Sequence, residues 1–154
     1  MKNREICISE IANTILANDT FVGDSIVFLP VRSKKSKKDY SNLINKIANK
    51  ISEDGHSILV VTERRVGGSE ESTVDYCEIH KFLESQYESE KYDLKMVVSP
   101  RFNQSALSQT LVRKGKKIIL VIEEFFSTER DLRDDLMEIE NLGAEVLGAI
   151  YVER

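Results

Sequence analysis

The residues of this chain best suited to chemistry form a basic segment that follows a short apolar run. The apolar run covers residues 25–29, the basic segment residues 31–38, and a segment of helical spacing residues 40–53. This is the order of a strand, a phosphate-binding loop and a helix, in which glycines let backbone N–H groups converge on an anion. Residues 31–38 contain no glycine, and side chains there crowd such an approach. The pattern predicts a nucleotide-binding architecture that has lost its chemistry.

Side-chain charge offers the basic segment a second way to hold an anion. A helix N-terminus follows and favours negative charge; the cations before it are Arg32, Lys34, Lys35, Lys37 and Lys38. The alternative is a solvated loop, because flexible lysines lose conformational entropy on binding and exposed ion pairs contribute little. We favour the solvated loop and keep these five residues as candidates for a phosphate-bearing ligand or an acidic protein segment.

Acidic residues follow two of the predicted strands. Glu123 and Glu124 come after one strand and Glu63 after another, which places carboxylates where a metal could bind. No histidine or aspartate completes a recognisable ligand set, so we expect an exposed acidic turn and no metal site.

The composition is that of an ordinary globular protein. The chain has 154 residues, of which 41% are hydrophobic and 31% charged, and we expect a single domain over residues 1–154. The net charge of −4 gives no pull toward nucleic acid or an anionic membrane.

Cys7 and Cys77 lack the spacing of a zinc site. No apolar run reaches the roughly 20 residues of a membrane span, and no signal-peptide core follows Met1, so we expect a cytoplasmic location.

Apolar spacing predicts strands that alternate with helices. The predicted strands are residues 25–29, 56–61, 94–98, 117–122 and 146–152; the predicted helices are residues 8–16, 40–53, 74–87, 103–113 and 128–142. Such alternation is typical of an α/β fold with a parallel sheet of about five strands and helices on both faces. Ligands of such sheets usually bind beyond the carboxyl ends of the strands.

Two of the predicted helices carry specific expectations about their buried faces. In the helix over residues 74–87 we expect Thr73 or Asp75 as the cap, and the inward positions are Ile79, Phe82 and Leu83. In the helix over residues 128–142 the expected apolar side consists of Leu132, Leu136, Ile139 and Leu142, and Gly143 ends the helix.

Four segments of the chain resemble known sequence motifs. Residues 10–18 fall at the place of a helix pattern E-x-x-R-x-x-R-T-N, and residues 55–62 resemble G-K-K-V-L-L-I-D. Residues 92–101 look like Y-D-Y-I-I-I-D-T-P-P, and residues 139–152 are similar to L-x-x-L-G-A-K-V-L-G-V-V-L-N. Read in order, these segments resemble the cytoplasmic ATPase domain of bacterial tyrosine kinases that accompany chain-length determinants in capsule and exopolysaccharide assembly. The resemblance implies a P-loop NTPase-like three-layer fold related to partitioning and cell-division ATPases.

The departures from the family pattern lie in the nucleotide site. An ungapped alignment puts the loop glycines on Ser33 and Lys35, the phosphate-binding lysine on Ser36, and the magnesium-binding hydroxyl on Lys37. The acidic residue after the second strand becomes Thr62 with Arg64 nearby, and the aspartate of the third landmark becomes Val98. Phosphoryl transfer depends on Mg²⁺ held by a hydroxyl and carboxylates. The resemblance therefore implies a degenerate site without catalytic residues, metal or cofactor.

These observations lead to two functional expectations. The first is a non-catalytic regulatory or scaffolding homologue, which binds a membrane-anchored chain-length regulator or an active kinase paralogue and lies in the cytoplasm, at the membrane only through that partner. The alternative is an enzyme that binds ATP and Mg²⁺ through a rearranged lysine-rich loop, with Glu63 or Glu123 recruiting the metal. A plain interaction module unrelated to polysaccharide is a third option. The helix pattern of family oligomers has lost both arginines, to Asn13 and Leu16, which leaves the oligomeric state open.

Overall fold

The computed structural model describes residue 15 and residues 24–33, 40–53, 55–63, 74–84, 92–102, 106–123 and 128–152. Its strands are β1 (Asp24–Pro30), β2 (Ile58–Thr62), β3 (Val74–Glu78), β4 (Leu94–Val98), β5 (Lys117–Glu123) and β6 (Glu145–Val152). Its helices are α1 (Ser41–Ser52), α2 (Ile79–Glu84), α3 (Ala106–Gly115) and α4 (Glu129–Asn141). Of the helix expected over residues 8–16, only Ile15 lies among the described residues, where it is helical and buried.

The strands form a parallel sheet of order β3-β2-β4-β1-β5-β6. This confirms the predicted α/β fold class, with six strands where about five were expected. The chain also divides into two compact units, Met1–Ser25 with Ser41–Val97 and Ile26–Tyr40 with Val98–Arg154. The single-domain organisation stays a prediction.

In the first unit, β2 lies between β3 and β4, with Val60 in register with Tyr76 and Met96. Every residue of β2 is buried, as expected of a strand that is covered on both faces. Helix α1 turns four buried side chains inward, and they are Ile44, Ile47, Ala48 and Ile51. Gly55 follows with φ +91°, a left-handed conformation that favours glycine and ends the helix.

In the second unit, β5 lies between β1 and β6, with Leu120 in register with Leu29 and Ala149. Helix α4 begins with a capping box: the Thr128 hydroxyl accepts the N–H of Asp131, and the Asp131 carboxylate accepts the N–H of Thr128. Gly143, at φ +81°, follows the end of this helix, as predicted. At the end of α3, a Cβ on Gly115 would lie 2.5 Å from Val27 Cγ2, so this close approach requires glycine.

The prediction for residues 74–87 was wrong in its first part. Residues Val74–Glu78 form β3, which pairs with β2, and the described helix is Ile79–Glu84. Residues 85–87 of the predicted helix lie outside the described residues. Neither proposed cap therefore begins a helix, since Asp75 lies inside the strand and Thr73 lies outside the described residues. A short edge strand with two buried positions, Val74 and Cys77, has too little alternation to be told from the first turn of a helix.

The expected face of α4 also needs correction. Ile139 is fully buried, but Leu136 is 39% exposed, and the other fully buried position is the carboxylate residue Asp135. A charged side chain at a core position is explained by its partner, described below, and not by the apolar pattern of the helix.

Candidate functional site

The segments that follow β1 and β4 are held together by backbone hydrogen bonds. Ser99 N donates to Phe28 O at 3.0 Å, and Phe102 N donates to Pro30 O at 3.0 Å. On the other side, Val31 N donates to Val121 O at 3.0 Å. The backbone of residues 30 and 31 is thus fixed from two sides where the polypeptide leaves the carboxyl end of β1, the usual location of ligands in a parallel sheet.

The side chain of Arg101, which also belongs to the second unit, lies at this carboxyl end of β1. Its side chain is 3% exposed, and its Nη1 donates to the carbonyl oxygen of Val31 at 2.7 Å. Its Nη2 lies 3.5 Å from Oε2 of Glu123, the last residue of β5, which is 2% exposed. The buried Arg101 guanidinium and the buried Glu123 carboxylate therefore form an ion pair next to Val31, the first residue of the basic segment.

Tyr40, the last residue before α1, completes this buried cluster. The guanidinium carbon of Arg101 lies 5.9 Å from the centre of its ring. Burial, and after it the neighbouring Glu123 carboxylate, raises the pKa of Tyr40 to about 12, while Arg101 acts in the opposite direction. Within the described part of the chain, the hydroxyl makes no hydrogen bond of regular geometry. The phenol thus stays neutral beside a charged pair.

Arg32 is held by helix α4. Its backbone N–H donates to Asp135 Oδ2 at 2.8 Å, its Nε donates to Asp135 Oδ1, and its Nη2 donates to Glu138 Oε1 at 2.9 Å. Burial alone would lower the pKa of Arg32, but the carboxylates of Glu138 and Asp135 more than offset it and raise the pKa above its ordinary value. The first cation of the basic segment is thus engaged by protein carboxylates.

Asp135 belongs to this contact although its side chain is fully buried. Burial raises its pKa, against the lowering effect of the hydrogen bonds and the charge of Arg32. The carboxylate that anchors Arg32 is therefore more costly to ionise than an exposed aspartate would be.

Comparison with solved structures identifies the architecture. The chain superposes on the chimerical protein CapA2B2 with a TM-score of 0.72 at 14% identity, over 96% of this chain and 83% of that one. It superposes on the BceF tyrosine kinase domain with a TM-score of 0.66 at 16% identity, over 93% and 72% of the two chains. For the kinase domain of the Escherichia coli tyrosine kinase ETK the TM-score is 0.66 at 14% identity, over 85% and 68%.

This chain has the fold of bacterial tyrosine kinase domains. The fold expected from the sequence resemblance is thereby confirmed. No protein-family model matches the chain, and no curated protein matches it either. At 14–16% identity the likeness concerns the fold alone.

Within the kinase-domain fold, two of the predicted site positions are the last residues of their strands. Thr62 is the last residue of β2 and is 1% exposed, and Val98 is the last residue of β4 and is 6% exposed. Ser33 lies three residues after β1 and is half-buried. The remaining positions lie outside the described residues; they are Lys34, Lys35, Ser36, Lys37, Lys38 and Arg64. Their assignment to a degenerate nucleotide site stays a prediction.

The acidic residues considered as metal ligands differ in their exposure to solvent. Glu63 is exposed, Glu123 is buried against Arg101, and Glu124 lies outside the described residues. Across the described ranges, no group of three or more histidine, cysteine, aspartate or glutamate side chains could hold a metal ion. The prediction of an exposed acidic turn therefore does not hold for Glu123.

Sequence reasoning missed the three residues that shape this kinase-fold site most: Arg101, Tyr40 and Asp135. Arg101 follows Ser99-Pro100 and reads as an ordinary turn residue. The one available signal was Asp135, which interrupts the apolar side of its helix between Leu132 and Ile139. Its partner Arg32 is 103 residues away in sequence, and no local pattern connects them.

Proposed function

We propose that this protein is a non-catalytic regulatory or scaffolding homologue of the tyrosine kinases of capsule and exopolysaccharide biosynthesis. Support comes from the kinase-domain fold and from a loop sequence without glycine. The observation that carries the proposal is the hydrogen bond of 2.7 Å from Arg101 to Val31, because an internal cation holds the start of the loop. In a working phosphate loop the backbone at this edge faces the anion.

The electrostatics of the second unit support the same proposal. Arg101 is neutralised by Glu123, and Arg32 by Asp135 and Glu138, so two cations near the loop are committed to protein carboxylates. A triphosphate would have to compete with both pairs, while Thr62 and Val98 offer no carboxylate for Mg²⁺. In this proposal the protein uses no metal and no nucleotide cofactor.

The proposed partners are a membrane-anchored chain-length regulator or an active kinase paralogue. Among the described residues, no helix is long and apolar enough to cross a membrane. The proposal includes a cytoplasmic location, with attachment to the inner face of the membrane through the partner.

Calorimetric titration with Mg·ATP tests the absence of catalysis. We expect no heat of binding and no ATP hydrolysis from the wild-type chain, with an active tyrosine kinase domain as the positive control. Binding accompanied by turnover would overturn the proposal. A pull-down with candidate chain-length regulators tests the partner, and no association with any polysaccharide-assembly component would contradict the pathway assignment.

A variant in which the charge of all four loop lysines is reversed tests the alternative, an enzyme that binds ATP through the lysine-rich loop. The change replaces Lys34, Lys35, Lys37 and Lys38 by glutamate. If a lysine-rich loop holds ATP, any wild-type binding is lost in this variant. If weak binding is present and indifferent to the reversal, the nucleotide lies elsewhere and the rearranged-loop enzyme is excluded.

A further inference from the structure

Strand β6 forms an edge of the sheet in the second unit. It pairs with β5 on one side, and no other described strand lies on its outer side. Residues 146–152 contain no charged residue and no proline. An irregularity in register between Ile118 and Ile119 leaves Leu147 as an extra residue, after which residues 148–152 pair regularly with β5. The outer side of β6 thus presents a regular run of backbone donors and acceptors.

Strand β6 carries one of the exposed large hydrophobic side chains of the protein. Among the described residues, the large hydrophobic side chains that are exposed are Tyr151 on β6 and Leu136 and Met137 on α4. Tyr151 is 62% exposed, and Ala149 on the same face of β6 is exposed as well, whereas Ile150 on the opposite face is buried. An uncharged edge strand with an exposed aromatic side chain is typical of a surface that adds another strand.

The other edge strand, β3, shows the contrast. It has five residues, and two of them, Asp75 and Glu78, are acidic. A short charged edge strand is the usual protection against pairing with another chain. Strand β6 carries no such protection over residues 148–152.

We propose that β6 is a self-association surface, to which β6 of a second copy of this chain adds as an antiparallel strand. Identical strands can pair about a two-fold axis only if the pattern is complementary to itself. An axis at Ile150 places Tyr151 of one copy opposite Ala149 of its partner, so that a large and a small side chain meet twice on the exposed face. No like charges meet over residues 148–152, because none are present. This inference does not depend on the proposed absence of catalysis.

Sedimentation velocity of the full chain over a concentration series tests the proposal. We expect a monomer–dimer equilibrium in the wild type and hydrogen-exchange protection of residues 148–152 that increases with concentration. The double variant A149K/Y151K places like charges opposite each other and is expected to raise the dimer dissociation constant at least about tenfold. Circular dichroism melts establish that the variant is folded.

A register-specific variant makes the test sharper. A149K/Y151E is as polar as A149K/Y151K, but it places the introduced lysine of one copy opposite the introduced glutamate of the other, so we expect dimerisation to return. The control M137K adds one charge to the exposed side of α4 and should leave the dimer unchanged.

Three results would overturn the proposal. The first is a wild-type chain that stays monomeric up to about 1 mM. The second is a dimer that M137K disrupts and A149K/Y151K does not. The third is a monomeric wild type that instead binds a different protein through β6, as shown by loss of that complex in A149K/Y151K.

Discussion

Asp135 accepts two hydrogen bonds from Arg32, one from the backbone N–H at 2.8 Å and one from Nε. A single buried carboxylate on α4 thereby fixes both the backbone and the side chain of the second residue after β1. The same Arg32 also contacts Glu138, which is 41% exposed. These two contacts, made by one cation to carboxylates of different burial, can be separated by mutation.

Replacing Asp135 by alanine should destabilise the protein by about 1–3 kcal/mol, because the N–H of Arg32 loses its acceptor in a partly buried place. Replacing Glu138 by alanine should cost less than about 1 kcal/mol, since this carboxylate is largely solvated. Urea unfolding of both variants measures the difference. Equal losses in the two variants would show that burial does not distinguish the contacts.

Replacing Arg101 by methionine should cost about 3–5 kcal/mol, because the buried Glu123 carboxylate loses the cation beside it. Adding Glu123→Gln should recover part of that loss, which a double-mutant cycle measures. Arg133 offers a matched control, since its Nη2 also lies 3.5 Å from a carboxylate, that of Glu129, but both side chains are exposed. Arg133→Met should change stability by less than about 0.5 kcal/mol. A coupling energy of zero between Arg101 and Glu123 in this double-mutant cycle would contradict the ion pair.

The phenol of Tyr40 should titrate near pH 12 and not near its ordinary pKa of 10. Because the pKa of Tyr40 is higher in the folded than in the unfolded state, the contribution of its neutral phenol to folding stability is fully present below pH 10. It is lost as the pH rises from 10 to 12, and amounts to roughly 1–3 kcal/mol. The difference in tyrosinate absorbance between the wild type and Tyr40→Phe isolates this group. A difference curve centred at pH 10 would disprove the assignment.

Replacing Gly115 by alanine should destabilise the protein by about 1–3 kcal/mol, because the new methyl group would lie 2.5 Å from Val27 Cγ2 in a packed core. Gly148 is the control, since a Cβ there meets no atom within 4 Å. Gly148→Ala should therefore be neutral or slightly stabilising. Thermal unfolding of the two variants tests this, and a G115A protein as stable as wild type would mean that β1 and α3 can move apart.

The sequence predicted the periodic elements well and the edge strand β3 poorly. Buried strands such as β2 and β4 are short apolar runs bounded by turn signals, and they were placed within about two residues of their observed bounds. Strand β3 was taken for the beginning of a helix, because its five residues carry only two buried positions and its strand character comes from pairing with β2. Pairing partners are not encoded locally, so such a segment is decided by its neighbours.

By itself, the sequence of this protein determined the alternation of strands and helices, the positive-φ glycines that end α1 and α4, and the absence of glycine from residues 31–38. These features depend on local periodicity and on backbone conformations available within a few residues. Only the tertiary structure decided that Arg101 lies against Val31 and Glu123, and that Asp135 holds Arg32. Such contacts join residues 22 to 103 positions apart, and the burial that makes their charges matter exists only after the chain has folded.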